Sequence, residues 1–116
     1  MKTRIRAFGH AIEGFRTLLA TQVHAKIHLA ATALVIGTAI YLDVSRQDWV
    51  VLCLCITSVW AAEALNTAIE SLSDEVSLEW RERIKRAKDV AAFCVLVTSV
   101  GASVAGALVF YPYTQK

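Results

Sequence analysis

Apolar positions along this chain fall into four stretches of two kinds. Over residues 3–20, Ile5, Phe8, Ile12, Phe15 and Leu19 recur at spacings of three and four, while Arg4, Arg6, His10, Glu13 and Arg16 fill much of the remainder. That period predicts a helix with one apolar face, suited to lie in the headgroup plane of a membrane or to pack on a bundle. The other three stretches are predominantly apolar on every face. Residues 27–42 form the shortest, bracketed by Lys26 and Asp43; residues 49–72 are longer; residues 90–111 run for 22 positions without a charge. A helix needs about 20 apolar residues to cross a bilayer, and a shorter one crosses by thinning the membrane or by snorkelling of its flanks. The pattern predicts an all-α chain in which an amphipathic surface helix precedes three transmembrane helices, all within one membrane-embedded domain over 1–116.

Composition strengthens the membrane reading. The chain is 56% hydrophobic with mean hydropathy +0.50, too apolar for a soluble protein of this size. A net charge of +2 gives no case for nucleic acid as a partner. The basic amino-terminal stretch leads into the amphipathic segment without a small-residue cleavage pattern, so no secretory signal is expected. Cys53, Cys55 and Cys94 sit inside apolar runs and read as buried small hydrophobes. Trp49, Trp80, Tyr41, Tyr111 and Tyr113 fall near span ends, as interfacial anchors do. Ala33 with Gly37, and Ala102 with Gly106, are spaced for close helix contact.

Charge distribution sets an expected orientation. Lys2, Arg4, Arg6, Arg16 and Lys26 precede the first span, and Arg81, Arg83, Lys85, Arg86 and Lys88 lie in the 73–89 loop. The 43–48 loop holds only Arg46 and the tail only Lys116. Basic residues favour the cytoplasmic side, so the amino terminus and the 73–89 loop are expected there.

The middle span carries the chemistry. Glu63, Asn66, Glu70 and Asp74 fall within about 80° of arc at ~100° per residue, a single stripe. A carboxylate at mid-bilayer costs on the order of 2.5–3.5 kcal/mol even on the lenient insertion scale. Such residues in a span are functional candidates by default, the bland alternative being a helix end that merely reaches headgroup water. Phosphate-binding glycine loops, dinucleotide fingerprints, zinc-protease motifs and the nucleophile elbow are all missing. Paired acids do suit phosphoryl transfer, where one accepts a proton from the attacking hydroxyl and another binds a metal bridging phosphate oxygens. Lys88 and Asp89 open the third span. Lys88 offers a point charge for a phosphate; read alone, the pair is an ordinary charged helix start, with Asp89 favouring the helix dipole. His24 and His28, four apart, invite a metal reading, but nitrogen ligands do not suit Mg²⁺. They read as interfacial histidines contacting headgroups or backbone.

The run Glu63-Ala-Leu-Asn66-Thr-Ala-Ile-Glu70-x-x-x-Asp74, followed by Ala87-Lys88-Asp89-Val-Ala-Ala, resembles the small bacterial integral-membrane diacylglycerol kinases and their undecaprenol kinase relatives. The resemblance covers nearly the whole chain. It implies a homotrimer in the bacterial inner membrane with composite sites, the amino terminus cytoplasmic, using ATP and Mg²⁺ to phosphorylate a lipid alcohol. Glu63 matches the catalytic base and Asn66 a residue needed for activity. Glu70 matches a metal ligand that also lies against the nucleotide, and Lys88 and Asp89 match the ATP-contacting pair. Glu79, Arg81 and His10 fall near further ATP-binding positions. Gln22 stands where relatives often carry a second metal-binding glutamate, so a neutral oxygen replaces a charged one there. Asp74 looks like a shared family residue without an assigned role. The short termini look more like the undecaprenol kinases. A non-enzymatic membrane oligomer, such as a scaffold or small transport subunit, is the alternative; it would explain the spans but not Ala87-Lys88-Asp89.

Overall fold

The computed structural model describes residues 2–115 as four α-helices and a terminal 3₁₀ turn: α1 (Lys2–Thr21), α2 (Val23–Leu42), α3 (Arg46–Val76), α4 (Glu82–Phe110) and the turn Tyr111–Gln115. By length and composition α2, α3 and the continuous helical run from α4 through the turn could each cross a membrane. Backbone polar groups have no water to bond to in hydrocarbon, and helices satisfy them internally.

The helices extend further than the apolar runs that predict them. The expected 73–89 loop shrinks to five residues, 77–81, because α3 continues to Val76 and α4 begins at Glu82. Lys88 and Asp89 therefore lie well inside a helix, and the dipole account of Asp89 fails. Polar residues supply the added turns with ion pairs four apart, Lys85 Nζ to Asp89 Oδ2 at 2.7 Å and Arg86 Nε to Glu82 Oε1 at 3.3 Å. Asp89 holds the Lys85 ammonium above its ordinary 10.5 by hydrogen bond and charge together.

Helices α3 and α4 form the main packed pair, and α2 and α1 touch their neighbours more sparsely. The buried core gathers at one end, where Ala39, Val44, Leu52 and Val109 meet, with Trp49, Phe110 and Tyr113 against them. The turn from α2 to α3 closes that end. Asp43 adopts the left-handed conformation (φ 50°, ψ 56°), which aspartate tolerates better than bulkier residues. Its N–H bonds the Ile40 carbonyl and that of Val44 bonds the Ala39 carbonyl, both at 3.2 Å. This is the paired helix stop in which an apolar residue past the turn packs back on the helix, here Val44 on Ala39. Ser45 then caps α3, its Oγ accepting the Asp48 N–H at 3.1 Å.

Tyr113 ties the carboxy-terminal turn to that cap. Its hydroxyl donates to Asp48 Oδ2 at 2.6 Å and accepts the Ser45 N–H at 3.0 Å. The sequence reading of Tyr113 as a membrane anchor is corrected: it is half-buried in a polar clasp. Tyr41, Trp80 and Tyr111 do stand exposed.

Two other expectations change. Cys53 is exposed and Cys55 and Cys94 are half-buried, because the helices turn much of their apolar surface away from one another. A Cβ added at Gly37 or Gly106 would meet nothing within 4 Å, so these small-residue steps make no close contact within the protomer. On α1, Ile5, Phe8, Ile12 and Phe15 remain exposed while Leu18 is buried.

Asp48 lies just before the apolar run of α3, and its carboxyl is held below the ordinary 3.8 chiefly by the Tyr113 hydroxyl, with Ser45 assisting and desolvation opposing. A folded-state value below the unfolded one contributes stability that is complete above the unfolded value and lost as pH falls through the folded one. Tyr113→Phe is expected to lower the thermal unfolding midpoint in detergent micelles by a few degrees at neutral pH. The gap to the parent should narrow below pH 3.8.

Candidate functional site

Helix α3 presents the polar stripe as one ladder. Glu63 is buried at 4% exposure, Asn66 and Glu70 are half-buried, and Asp74 is exposed. Exposure thus grows along the ladder toward the 77–81 loop.

Glu63 is enclosed by α2. His28 Nδ1 lies 4.0 Å from Glu63 Oε2, beyond hydrogen-bonding distance. Among the described residues no donor bonds this carboxylate. One turn earlier on α3, Trp60 donates from Nε1 to Thr32 Oγ1 at 2.9 Å. Thr32 in turn donates to the His28 carbonyl at 2.7 Å. The His28 ring stands edge-on to the Trp60 indole at 83°, centroids 6.3 Å apart, and Phe15 of α1 meets the indole at 5.7 Å. Trp60 is thus the post against which α1 and α2 rest. Three buried side-chain atoms here lack partners: His28 Nδ1, Asn66 Oδ1 and Thr67 Oγ1. The two on α3 open on different sides of it, Asn66 toward α4 and Thr67 toward α1.

Asn66 donates from Nδ2 to Glu70 Oε1 at 3.2 Å, which leaves its carbonyl oxygen free beside a carboxylate. Oxygen donors of this kind suit Mg²⁺, which is commonly held by one or two carboxylates together with substrate phosphates. Among the described residues no three His, Cys, Asp or Glu side chains converge as a cage. Gln22, half-buried, stands at the N-cap of α2 with its side chain making no cap bond.

Across from the ladder, Lys88 of α4 pairs with Asp74 Oδ1 at 2.9 Å. Both side chains are well exposed, 39% and 54%, and such pairs are worth about 0.2–1 kcal/mol. Lys88 is therefore aimed without being strongly held. Asp74, which the sequence alone leaves without a role, is the ion-pair partner of Lys88. Asp89 pairs with Lys85 instead. His10, Glu79 and Arg81 are exposed, and among the described residues their side chains form no hydrogen bond or ion pair. The protomer thus brings Glu63, Asn66, Glu70, Asp74 and Lys88 onto one helix pair and leaves His10, Glu79 and Arg81 apart from it.

Two open grooves run along α3, and the second of them takes in the ladder residue Asn66. One of about 580 Å³ lies between α1 and α3, lined by Gly14, Phe15, Leu18, Trp60, Ala64 and Thr67 among others. Another of about 450 Å³ lies between α3 and α4 and includes Asn66, Arg86 and Ala87. Sequence reasoning missed His28, Thr32 and Trp60 as members of the site. They are single residues on different helices, and only the packing of α2 on α3 brings them together.

Known proteins resemble the chain in sequence along most of its length. The chain is 32% identical over 107 residues to an undecaprenol kinase of Bacillus subtilis, covering 92% of this chain and 87% of that one. It is 28% identical over 109 residues to a diacylglycerol kinase of Escherichia coli, covering 94% and 89%. A Synechocystis diacylglycerol kinase is 35% identical over 107 residues, covering 91% of this chain and 61% of that relative. The model of the prokaryotic diacylglycerol kinase family matches residues 9–110, and the chain belongs to that family of lipid kinases.

Proposed function

We propose that the protein transfers the γ-phosphate of ATP to the hydroxyl of a membrane lipid alcohol, undecaprenol or diacylglycerol, at the cytoplasmic face of the bacterial inner membrane. The observation that carries this reading is the ladder on α3, graded from a buried Glu63 to an exposed Asp74. Chain geometry supports the depth. About 20 residues of helix cross the hydrocarbon, so counting from Trp49 puts its inner edge near Ala68. Glu63 then lies about 8 Å inside that edge at ~1.5 Å per residue, while Glu70 and Asp74 stand in headgroup water. A lipid hydroxyl and a water-borne nucleotide can meet between them. Ten of the twelve Lys and Arg residues precede the first span or lie in 81–88, which supports a cytoplasmic placement of this end.

In this mechanism the lipid tail stays in the bilayer and enters the groove between α1 and α3. The amphipathic α1, its apolar side chains uncovered by the protomer, lies in the membrane surface as the roof of that groove. Glu63 accepts the hydroxyl proton as the oxygen attacks the γ-phosphorus. Glu70 and the free Asn66 oxygen, with Gln22, would hold Mg²⁺. The ion would supply charge neutralisation across the phosphates. Lys88 exchanges Asp74 for a phosphate oxygen at little cost. Asp89, Glu79, Arg81 and His10 complete the nucleotide seat where protomers of a homotrimer meet, a placement supported by the apolar surface each protomer leaves uncovered. Catalysis comes from positioning and electrostatics, since phosphoryl transfer asks little covalent chemistry of the protein.

With radiolabelled ATP and either lipid alcohol in mixed micelles, label should enter the organic phase. Chelation of divalent cations should stop transfer and Mg²⁺ should restore it; absence of labelled lipid with both alcohols would refute the proposal. Glu63→Gln should lower turnover by about 10²–10⁴-fold with helix content and micelle elution unchanged. Lys88→Met should reduce kcat/KM for ATP by about 10²-fold, whereas Asp74→Asn should stay within a few-fold of the parent in initial-rate assays.

A further inference from the structure

The geometry points to His28 as a positioning residue for Glu63: its Nδ1–H holds one carboxylate oxygen while the other faces the lipid hydroxyl. This rests on the assignment of Glu63 as the base. A carboxylate working as a base must keep one oxygen in line with the proton it takes, and a long glutamate side chain has three torsions with which to lose that alignment. Packing buries Glu63 but gives its oxygens no hydrogen bond. The polar atom closest to filling that need is His28 Nδ1, itself buried and unpartnered, 4.0 Å from Oε2. Nδ1 carries a hydrogen both in one neutral tautomer and in the imidazolium, so the bond needs no particular charge on the ring.

The surroundings hold His28 to this task. The edge-on Trp60 indole sets the ring plane. Trp60 Nε1 is tied to Thr32 Oγ1 at 2.9 Å, and Thr32 Oγ1 to the His28 carbonyl at 2.7 Å, closing a rectangle between α2 and α3 with Glu63 one turn beyond Trp60. Catalytic hydrogen bonds are often long before substrate arrives and tighten in the complex. A side-chain rotation closes the present 4.0 Å gap once the lipid hydroxyl reaches the carboxylate.

The test compares His28→Asn, His28→Gln and His28→Leu with Glu63→Gln, all as full-length protein in lipid–detergent micelles. The Asn amide nitrogen can occupy the place of Nδ1, whereas that of Gln reaches the place of Nε2. His28→Asn should keep kcat within about threefold of the parent, while His28→Gln and His28→Leu should lose about 10- to 100-fold in kcat with KM for ATP unchanged. A role in packing alone would treat Asn and Gln alike and would follow the thermal midpoints. Equal kcat for Asn and Gln, or a Leu variant within threefold of the parent, would overturn the inference even with Glu63→Gln inactive. Should Glu63→Gln itself turn over normally, the base assignment fails, and the positioning role fails with it.

Discussion

Putting a carboxylate inside an apolar helix surface is the constraint around which the molecule is arranged. Burial of an ionised group without compensation costs several kcal/mol, and α3 carries Glu63 at 4% exposure. The ladder leads outward through Asn66 and Glu70 to the exposed Asp74, α2 brings a histidine nitrogen to 4.0 Å, and Trp60 satisfies its own N–H on Thr32. A structural role alone would favour an apolar residue at this position. An acid kept there is what the proposed role of Glu63 as base requires.

The same pair of helices solves the charge problem at the water side. Because α3 and α4 extend past the apolar runs as regular helix, Asp74 and Lys88 face each other over a short loop. The lysine is thereby pointed along the ladder, and weak exposed pairing leaves it free to exchange partners. A rigid buried pair at the same place would fix the geometry but hold the lysine too tightly to share it with phosphate.

How much of this was legible in the sequence divides by range. Apolar runs and helical periodicity gave the all-α architecture and the stripe Glu63, Asn66, Glu70 and Asp74, since both depend on spacing along one helix. Helix ends were misjudged where hydropathy was the guide. Residues 82–89 are too polar to be membrane span, yet their ion pairs four apart make them good helix, so Asp89 sits on a helix flank rather than at its start. Tyr113 and His28 were misread for another reason. Tyr113 bonds Asp48 and His28 comes to 4.0 Å from Glu63, each on another element, and no local pattern encodes such a meeting. The cysteines and small-residue steps turned outward because few helix faces are covered within one protomer.

Among the described residues, the one connected cluster of buried side chains lies at the end closed by the Asp43 turn and the Tyr113 clasp. The end bearing the ladder is held by the Trp60 post and scattered buried residues, with open grooves between. Such a molecule resembles tongs riveted at one tip. On the proposed reaction, a greasy reactant would slide in and a product newly burdened with phosphate would depart while the rivet stays fastened, so that turnover would be decoupled from the integrity of the fold.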